Sequence, residues 1–392
     1  MDIKKITRRD LLKLGVGTTA TLGFNSFLVG CRGDSDRERP DAIDGGLEDS
    51  RMSDAYAEDA SQPAATVATI KGNDLDAMTR DALEALGGVG RIVMEGDTVF
   101  IKPNMIALPS ASVYDGFGSG ECTKPEILLA VAEECLKAGA RDVIIGDASQ
   151  RKTFDWRYAH TLDRSTNLVD QAQRLGSRYS GKIRFACLGE DSQQLVDIPT
   201  STSLGTISIA SLVAHADRII SVPVAKTHIV AQLSLSLKNF VGVTALGKYA
   251  STIPIQAADG GEALWRTPAF DHSSPEAIAA IYLDVVEALK PDLAIIDASI
   301  GVEGNGPAIT SGGTTVNMKD RLGSWLLIAS TDLVAADATA ARVMSHDPAD
   351  IKQIGMASHR GLGVMNSERI EIVGERLKDI TVPWKKATLT SL

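Results

Sequence analysis

Short runs of consecutive apolar residues alternate with helix-length segments along most of this 392-residue chain, and that alternation narrows the fold more than any other feature. Thr98-Val99-Phe100-Ile101 is one such run, and Val143-Ile144-Ile145-Gly146-Asp147 is a second that ends in an acid. Between them, Pro125 to Ala138 carries apolar residues at helical spacing, with Pro125-Glu126 at its start and Gly139 at its end, the usual polarity of helix signals. Further strands are expected at 183–188, 218–222, 293–297, 325–329 and 370–373. Helices are expected near 162–175, 274–289, 333–344 and 348–358. A strand that is apolar at every position has to be covered on both faces. The expectation is therefore an α/β fold, a mainly parallel sheet with helices on both faces. The folded body is placed at residues 66–392, long enough for one large domain or two subdomains.

Residues 1–65 have a different character. Arg8-Arg9, with Thr7 before and Leu11-Leu12-Lys13 after, precedes an apolar stretch from Leu14 to Gly30. That stretch is too short and too rich in small residues to cross a bilayer securely, and reads as the apolar region of a signal peptide. The arginine pair looks like a twin-arginine (Tat) export signal. Leu28-Val29-Gly30-Cys31 looks like a lipobox, which implies cleavage before Cys31 and lipid on its sulfur. Residues 1–30 are then the signal peptide. Residues 31–65, rich in Asp, Glu, Arg, Ser and Ala, form a flexible acidic tether that cannot bury enough surface to offset its ordering entropy. The expected location is the cell envelope, on the periplasmic or outer surface, reached through the Tat machinery and held at the membrane through lipid on Cys31.

Residues 1–30 carry five basic and two acidic side chains, so their removal takes the formal charge from −10 to −13. A surface this acidic repels phosphodiester backbones, and no Lys/Arg stripe with interleaved aromatics is present, which argues against nucleic acid as a partner. With Cys31 assigned to lipid, Cys122, Cys135 and Cys187 remain, an odd number without regular spacing or a Cys-x-x-Cys pair. No disulfide framework, thiolate zinc site or iron-sulfur motif follows from them. Cys135 and Cys187 fall in core-like segments, while Cys122, in a Gly-rich loop, is the one to test for reactivity.

In open α/β sheets, ligands bind beyond the carboxyl ends of the strands. Here those ends are charged. Lys102-Pro103-Asn104 follows the first strand, and Asp147 ends the second. Lys226-Thr227-His228 follows the run from Ile219 to Val224, and Lys238-Asn239 follows Leu233 to Leu237. Asp297 ends the strand that begins at Leu293, with Glu303 and Asn305 in the loop beyond. Ser330-Thr331-Asp332 ends another strand, and Asp337 lies in the helix after it. Singly, such a lysine is usually a solvated loop residue and such an aspartate a helix cap. Together they are costly to desolvate unless paired with one another or used on a ligand.

Lys102, Asn104, Lys238 and Asn239 are accordingly the candidate binders of a carboxylate or phosphate. Lys226 and His228 are the candidate catalytic residues, His228 because an imidazole titrates near neutrality. Asp147, Asp297, Glu303 and Asp332 are the carboxylates available to a divalent metal. His272, just ahead of a helix, is a further candidate for the same rim. The competing interpretation is a structural ion-pair network. Gly116-x-Gly118-x-Gly120 and the Gly301 to Gly306 stretch lack dinucleotide-loop spacing, Gly247-Lys248-Tyr249 is not a P-loop, and no Gly-x-Ser-x-Gly elbow is present. Close backbone approach is the expected role of these glycines.

The run of motifs resembles the family called domain of unknown function 362. The matching pieces are Phe100 to Asn104, Thr123-Lys124-Pro125-Glu126, Gly139 with Val143 to Asp147, Lys226-Thr227-His228, and Leu237-Lys238-Asn239 with Gly242. Pro291 to Asp297, Glu303 to Pro307, and Ser330-Thr331-Asp332 with Ala335 and Asp337 complete the set, over about Thr66 to Met356. The resemblance implies a redox setting, because many relatives carry a ferredoxin-like iron-sulfur module. This chain departs from that pattern in lacking the cysteine clusters. The lysines and histidine on an α/β scaffold are also similar, at the level of fold alone, to nickel-pincer hydroxyacid racemases. The expected function is capture of a small anionic molecule and, as an enzyme, its transformation, with a metal or cofactor loaded before export. The alternatives are a lipoprotein that binds the same ligand without turnover, and a structural or assembly partner of a redox complex.

Overall fold

The strands at the centre of the molecule are apolar on both sides because both sides are covered. In the computed structural model, which describes residues 64–106, 115–148, 150–251, 255–256, 262–266 and 268–390, Val99 and Ile101 of the Thr98–Pro103 strand join one core cluster. Met78 and Leu83 from the Leu75–Ala85 helix and Ile127, Leu128 and Val131 from the Pro125–Lys137 helix belong to the same cluster. Phe100, between them in sequence, lies outside that cluster and is also fully buried. Successive strand residues point to opposite faces, so Phe100 fills the other layer. There the Leu333–Val343 helix packs on the Trp325–Ser330 and Leu293–Gly304 strands. Each such burial of a Phe or Ile side chain contributes about 1.5–3 kcal/mol.

Among the described residues, eleven strands form the main sheet. Its order is Ile370–Gly374, Ala65–Gly72, Trp325–Ser330, Leu293–Gly304, Arg218–Val222, Thr98–Pro103, Asp142–Asp147 and Lys182–Cys187. Gly313–Asn317, Val224–His228 and Gln232–Ser234 extend the sheet at the far end of the Leu293–Gly304 strand. The five strands from Leu293–Gly304 to Lys182–Cys187 are parallel, as expected for an α/β fold. Trp325–Ser330 is antiparallel to both its neighbours. The reason is local: after Gly304 the chain doubles back, pairs Gly313–Asn317 with Ile300–Gly304, and continues in the reversed direction through Trp325–Ser330.

The expected signal peptide, Cys31 and the tether as far as residue 63 lie outside the described residues. The body begins slightly before the expected boundary. Ala64 donates its N–H to the Arg369 carbonyl at 2.9 Å, and Ala65–Gly72 is already a strand. Among the described residues no helix is long and apolar enough to cross a membrane. The helix expected from 162 starts later, at Leu168, because the Asn167 side chain accepts the Asp170 N–H at 3.0 Å and caps it there.

One difference bears directly on the site. Lys226-Thr227-His228, expected as a loop, is the end of a strand, Val224–His228. Pro223 interrupts the preceding strand, and its carbonyl accepts the Asp297 N–H at 2.8 Å. The partner strand pairs Asp297 with Val224 and Val302 with Lys226, so it carries extra residues in a bulge between those two positions. The bulge puts Ser299 and the Ile300 carbonyl among the charged side chains.

Candidate functional site

The carboxyl ends of the parallel strands hold a buried charged cluster. Lys102, at the end of its strand, is 1% exposed, and its Nζ lies 2.7 Å from Asp147 Oδ1 at the end of the neighbouring strand. The same ammonium donates to the Pro103 carbonyl at 2.6 Å and to Asn239 Oδ1 at 3.2 Å, which uses its three protons. Burial lowers the Lys102 pKa, and Asp147 opposes that shift. Asn239 returns its own N–H groups to the Lys102 carbonyl at 2.7 Å and to Ser221 Oγ at 3.1 Å. Gly242 lies against this pair: a Cβ there would stand 2.7 Å from Lys102 Nζ and closer still to Asp147 Oδ1.

A second pair lies beside the bulge. Lys124 Nζ is 3.2 Å from Asp297 Oδ2 and also donates to the Ile300 carbonyl, while Asp297 Oδ1 accepts from Ser299 N–H at 3.0 Å and Ser299 Oγ at 2.5 Å. Both side chains are fully buried. Gly120, with φ +85°, allows its loop to approach the bulge; a Cβ there would be 2.7 Å from Gly301 Cα. The expectation of close backbone approach holds at this position.

Lys226 is fully buried between neutral acceptors, Asn104 Oδ1 and the Glu121 carbonyl, each at 2.9 Å. One of its three N–H groups is left over. Burial lowers its pKa to about 8, offset in part by Cys122 and the Glu121 carboxylate. Lys238 differs from the other three lysines. Its backbone is held on both sides: the buried Asp337 carboxylate accepts the N–H groups of Ser236 at 2.8 Å and Leu237 at 3.1 Å, and Asn239 is anchored as described. Its ammonium nevertheless has no acceptor among the described residues. The residue keeps partial access to solvent. The desolvated setting of the ammonium, with Lys226 and Arg266 adding their charge, lowers its pKa to about 7.

Two imidazoles complete the cluster. His228 Nδ1 accepts the N–H groups of Val230 at 3.0 Å and Ala231 at 3.2 Å, so its proton sits on Nε2. Nε2–H has no acceptor among the described residues. Burial first, then the charges of Lys238 and Lys226, hold this ring neutral, well below its ordinary pKa. The assignment of His228 as a group titrating near neutrality is therefore corrected: it is a neutral hydrogen-bond donor. His272 has the complementary form. Its Nδ1 donates to the Phe270 carbonyl at 2.7 Å, and burial lowers its pKa as well.

The expected metal quartet is not assembled. Asp147 and Asp297 are each paired with a lysine. Glu303 is a strand residue whose carboxylate binds Arg321 at 2.8 Å and the Lys385 N–H at 2.9 Å. Asp332 caps the Leu333–Val343 helix through Ala335 N–H at 2.8 Å and also accepts from Val364 N–H. No group of three or more His, Cys, Asp or Glu side chains suited to a metal ion occurs among the described residues. Two of the expected ligand binders change role too: Lys102 and Asn239 spend their hydrogen-bonding capacity on each other, on Asp147 and Ser221, and on the backbone. Asn104 faces the site but is committed to Lys226.

The sequence reading missed Arg266 and did not rank Lys124 as a site residue. Arg266 is buried, donates to the carbonyls of Ala148 and Thr244 at 3.2 and 3.1 Å, and is lowered by burial to about 10. It lies in an irregular stretch with no periodic signal. Lys124 could have been found from its place directly before a helix-opening Pro125. Cys122, Cys135 and Cys187 are all buried and none is in a disulfide.

Among the described residues, the carboxylates Asp147, Asp297 and Glu121 lie beside Lys102, Lys124, Lys226, Lys238 and Arg266. The surplus of positive charge, with spare N–H groups on Lys226, Lys238 and His228, suits an anion.

A family model described as a domain of unknown function, DUF362, matches residues 99–342. A thylakoid-associated protein of Synechocystis sp. is 25% identical over 308 residues, covering 76% of this chain and 78% of that protein. Among solved structures, the lactate racemase apoprotein of Thermoanaerobacterium thermosaccharolyticum aligns at 13% identity over 62% of this chain, with a TM-score of 0.32. A Thermotoga maritima protein aligns at 14% identity over 70% of the chain, with a TM-score of 0.36. The chain spans 52% of the first of these structures and 60% of the second.

Proposed function

Because this chain belongs to the domain of unknown function 362 family, whose match contains all four lysines of the cluster, we propose that it binds, and as an enzyme transforms, a small carboxylate or phosphate between Lys226 and Lys238. The observation that carries this reading is the Lys238 ammonium, fixed at its backbone and without an acceptor among the described residues. A cation held in a partly desolvated site without a counter-charge is costly unless a ligand supplies one. The neutral His228, with Nδ1 occupied by backbone N–H groups, supplies an Nε2–H donor to the same anion.

Thermal unfolding of the full chain with oxalate and with inorganic phosphate tests the reading and separates its two ligand chemistries. A ligand at about a hundred times its Kd stabilises the folded state by about 2.7 kcal/mol. A melting temperature unmoved by either anion sinks the proposal.

We further propose that the protein works at the cell envelope, exported through an Arg8-Arg9 signal and tethered by lipid on Cys31. Membrane fractionation of cells expressing Cys31→Ala checks this. The variant is expected in the soluble fraction, and a distribution equal to that of the unaltered protein overturns the lipid anchor.

A further inference from the structure

We propose that Lys238 is a reacting amine, which condenses with the carbonyl carbon of a small aldehyde acid or 2-oxo acid to form an imine. The inference rests on the anion site proposed above and goes further, to the ligand's class and to a covalent step.

Four observations lead to it. The backbone on both sides of Lys238 is pinned, by Asp337 through Ser236 and Leu237 and by Asn239 through the Lys102 carbonyl. A side chain whose stem is fixed this firmly but whose Nζ has no acceptor among the described residues is positioned for a ligand. The other three lysines are already committed to acceptors: Lys102 to three, Lys124 to Asp297 and Ile300, and Lys226 to Asn104 and Glu121. They therefore act as fixed positive charge, while Lys238 is chemically available.

The neighbouring groups favour a neutral amine at this position. Lys226 and Arg266 repel its proton, and no carboxylate is paired with it to hold that proton; His228 and His272 face the same position as uncharged rings. A lysine desolvated beside other cations is the usual form of an amine nucleophile. Burial and these charges together bring it to about 7, so roughly half is unprotonated near neutrality.

The ligand has to satisfy two more groups. Lys226 has one N–H to give to a carboxylate, and His228 Nε2–H, in a residue only 8% exposed, has no acceptor among the described residues. A carbonyl next to a carboxylate presents an oxygen for each. In the reaction, the Nζ lone pair attacks the carbonyl carbon and the π pair moves to oxygen. Both amine protons leave with that oxygen as water, and a C=N bond to Nζ remains. No oxidant or reductant is consumed. Protonated, the imine draws electrons from the adjacent carbon, which is the use such a bond has in catalysis.

Reductive trapping tests this. The full chain is incubated near neutral pH with glyoxylate and cyanoborohydride, and carboxymethylated lysines are located by peptide mass spectrometry. Lys238 is expected to be modified at least about tenfold faster than the exposed Lys182 and Lys378, because burial and the neighbouring cations favour its neutral amine. Oxalate, which has the charge but no reactive carbonyl, should protect it. Lys238→Arg, which has no nucleophilic amine near neutral pH, should lose the label. Equal labelling of Lys182, Lys378 and Lys238 overturns the proposal. Stabilisation by oxalate without label on Lys238 overturns the imine and leaves the anion site standing. Neither stabilisation nor label removes both.

Discussion

Lys226 Nζ meets Asn104 Oδ1 at 2.9 Å across 122 residues of sequence, and both acceptors of that ammonium are neutral, so its charge is offset only in part, by Cys122 and carboxylates that do not bond it. Such an arrangement favours anion binding over stability. Lys226→Met keeps the length of the side chain and removes the desolvated charge, which relieves repulsion from Lys238 and Lys124 but leaves two acceptors without a donor. These effects oppose each other, so the melting temperature without ligand should shift by no more than the equivalent of about 1 kcal/mol. Oxalate affinity should fall at least about tenfold, or about 1.4 kcal/mol. Isothermal titration and a urea melt on the same preparation check the pair of outcomes. A variant that unfolds with unchanged affinity in its folded fraction would assign Lys226 to structure alone.

The same two lysines predict a pH dependence. Lys226 is lowered to about 8 and Lys238 to about 7, from an ordinary value of 10.5. The unfolded chain therefore holds more protons than the folded one between these values and 10.5, and these two groups make stability without ligand rise with pH across that window. An anion prefers the charged lysines, so its affinity is highest below about pH 7 and declines as the pH passes through 7 to 8. The decline approaches about tenfold per pH unit for each lysine whose charge the ligand requires. Oxalate stays fully ionised over this range and isolates the protein's contribution. Its stabilisation of the fold, measured by melting from about pH 6.5 to about pH 9, should shrink steadily; a constant or growing shift contradicts the lysine site.

Sequence alone identified the α/β layering because strands such as Val143 to Asp147 are apolar at every position and their lengths are bounded by Gly, Pro and charge. It also placed Lys102, Asp147, Lys226, Lys238 and Asp297 toward one rim, since ligand-side residues follow strand ends in this class of fold. It could not say which charge neutralises which. Asp147 looked available to a metal until the neighbouring strand brought Lys102 to 2.7 Å, a pairing set by strand order and not by spacing along the chain. The sequence shows an apolar run interrupted at Pro223, whereas the Val224–His228 strand is defined by pairing with Asp297 and Val302 across the bulge and with Gln232–Ser234. The neutral form of His228 depends on backbone donors from its own turn, Val230 and Ala231, which no residue pattern announces.

Gly242 has a steric reason that the sequence could only hint at. Its carbonyl accepts the Ala148 N–H at 2.8 Å, and its α-carbon lies against the Lys102–Asp147 pair with no room for a methyl group. Gly242→Ala must push that pair apart or displace the 238–243 turn. Overpacking costs about 1–3 kcal/mol, and separating a buried ion pair adds to it. A loss of about 2 kcal/mol or more in a denaturant melt is expected, together with weaker oxalate binding. An unaffected melt means the turn moves easily, and the pair is then not held as tightly as its geometry implies.

Asp337 links stability to the position of Lys238. Burial pushes its carboxyl up to about 7, against the N–H groups of Ser236 and Leu237 and the Ser236 hydroxyl, which favour the charged form. The folded state therefore binds this proton more tightly than the unfolded chain does. Its contribution to stability is complete below an ordinary aspartate value of 3.8 and is lost as the pH rises to about 7. That window closes where the lysine window opens, so the two can be read separately in one pH series. Asp337→Asn removes the titration and replaces one acceptor oxygen by an NH2 group that faces a backbone donor. At about pH 8 the variant should lose roughly 1–3 kcal/mol, the cost of a buried donor left unsatisfied. Between about pH 4 and 7 the downward slope from this group should disappear. Oxalate affinity should fall as well, because the Ser236-Leu237 backbone that aims Lys238 is no longer held at both N–H groups. Urea melts across the pH series and oxalate titrations at fixed pH measure the three effects. If stability falls while oxalate affinity is unchanged, Asp337 supports only the fold and the aiming of Lys238 depends on Asn239.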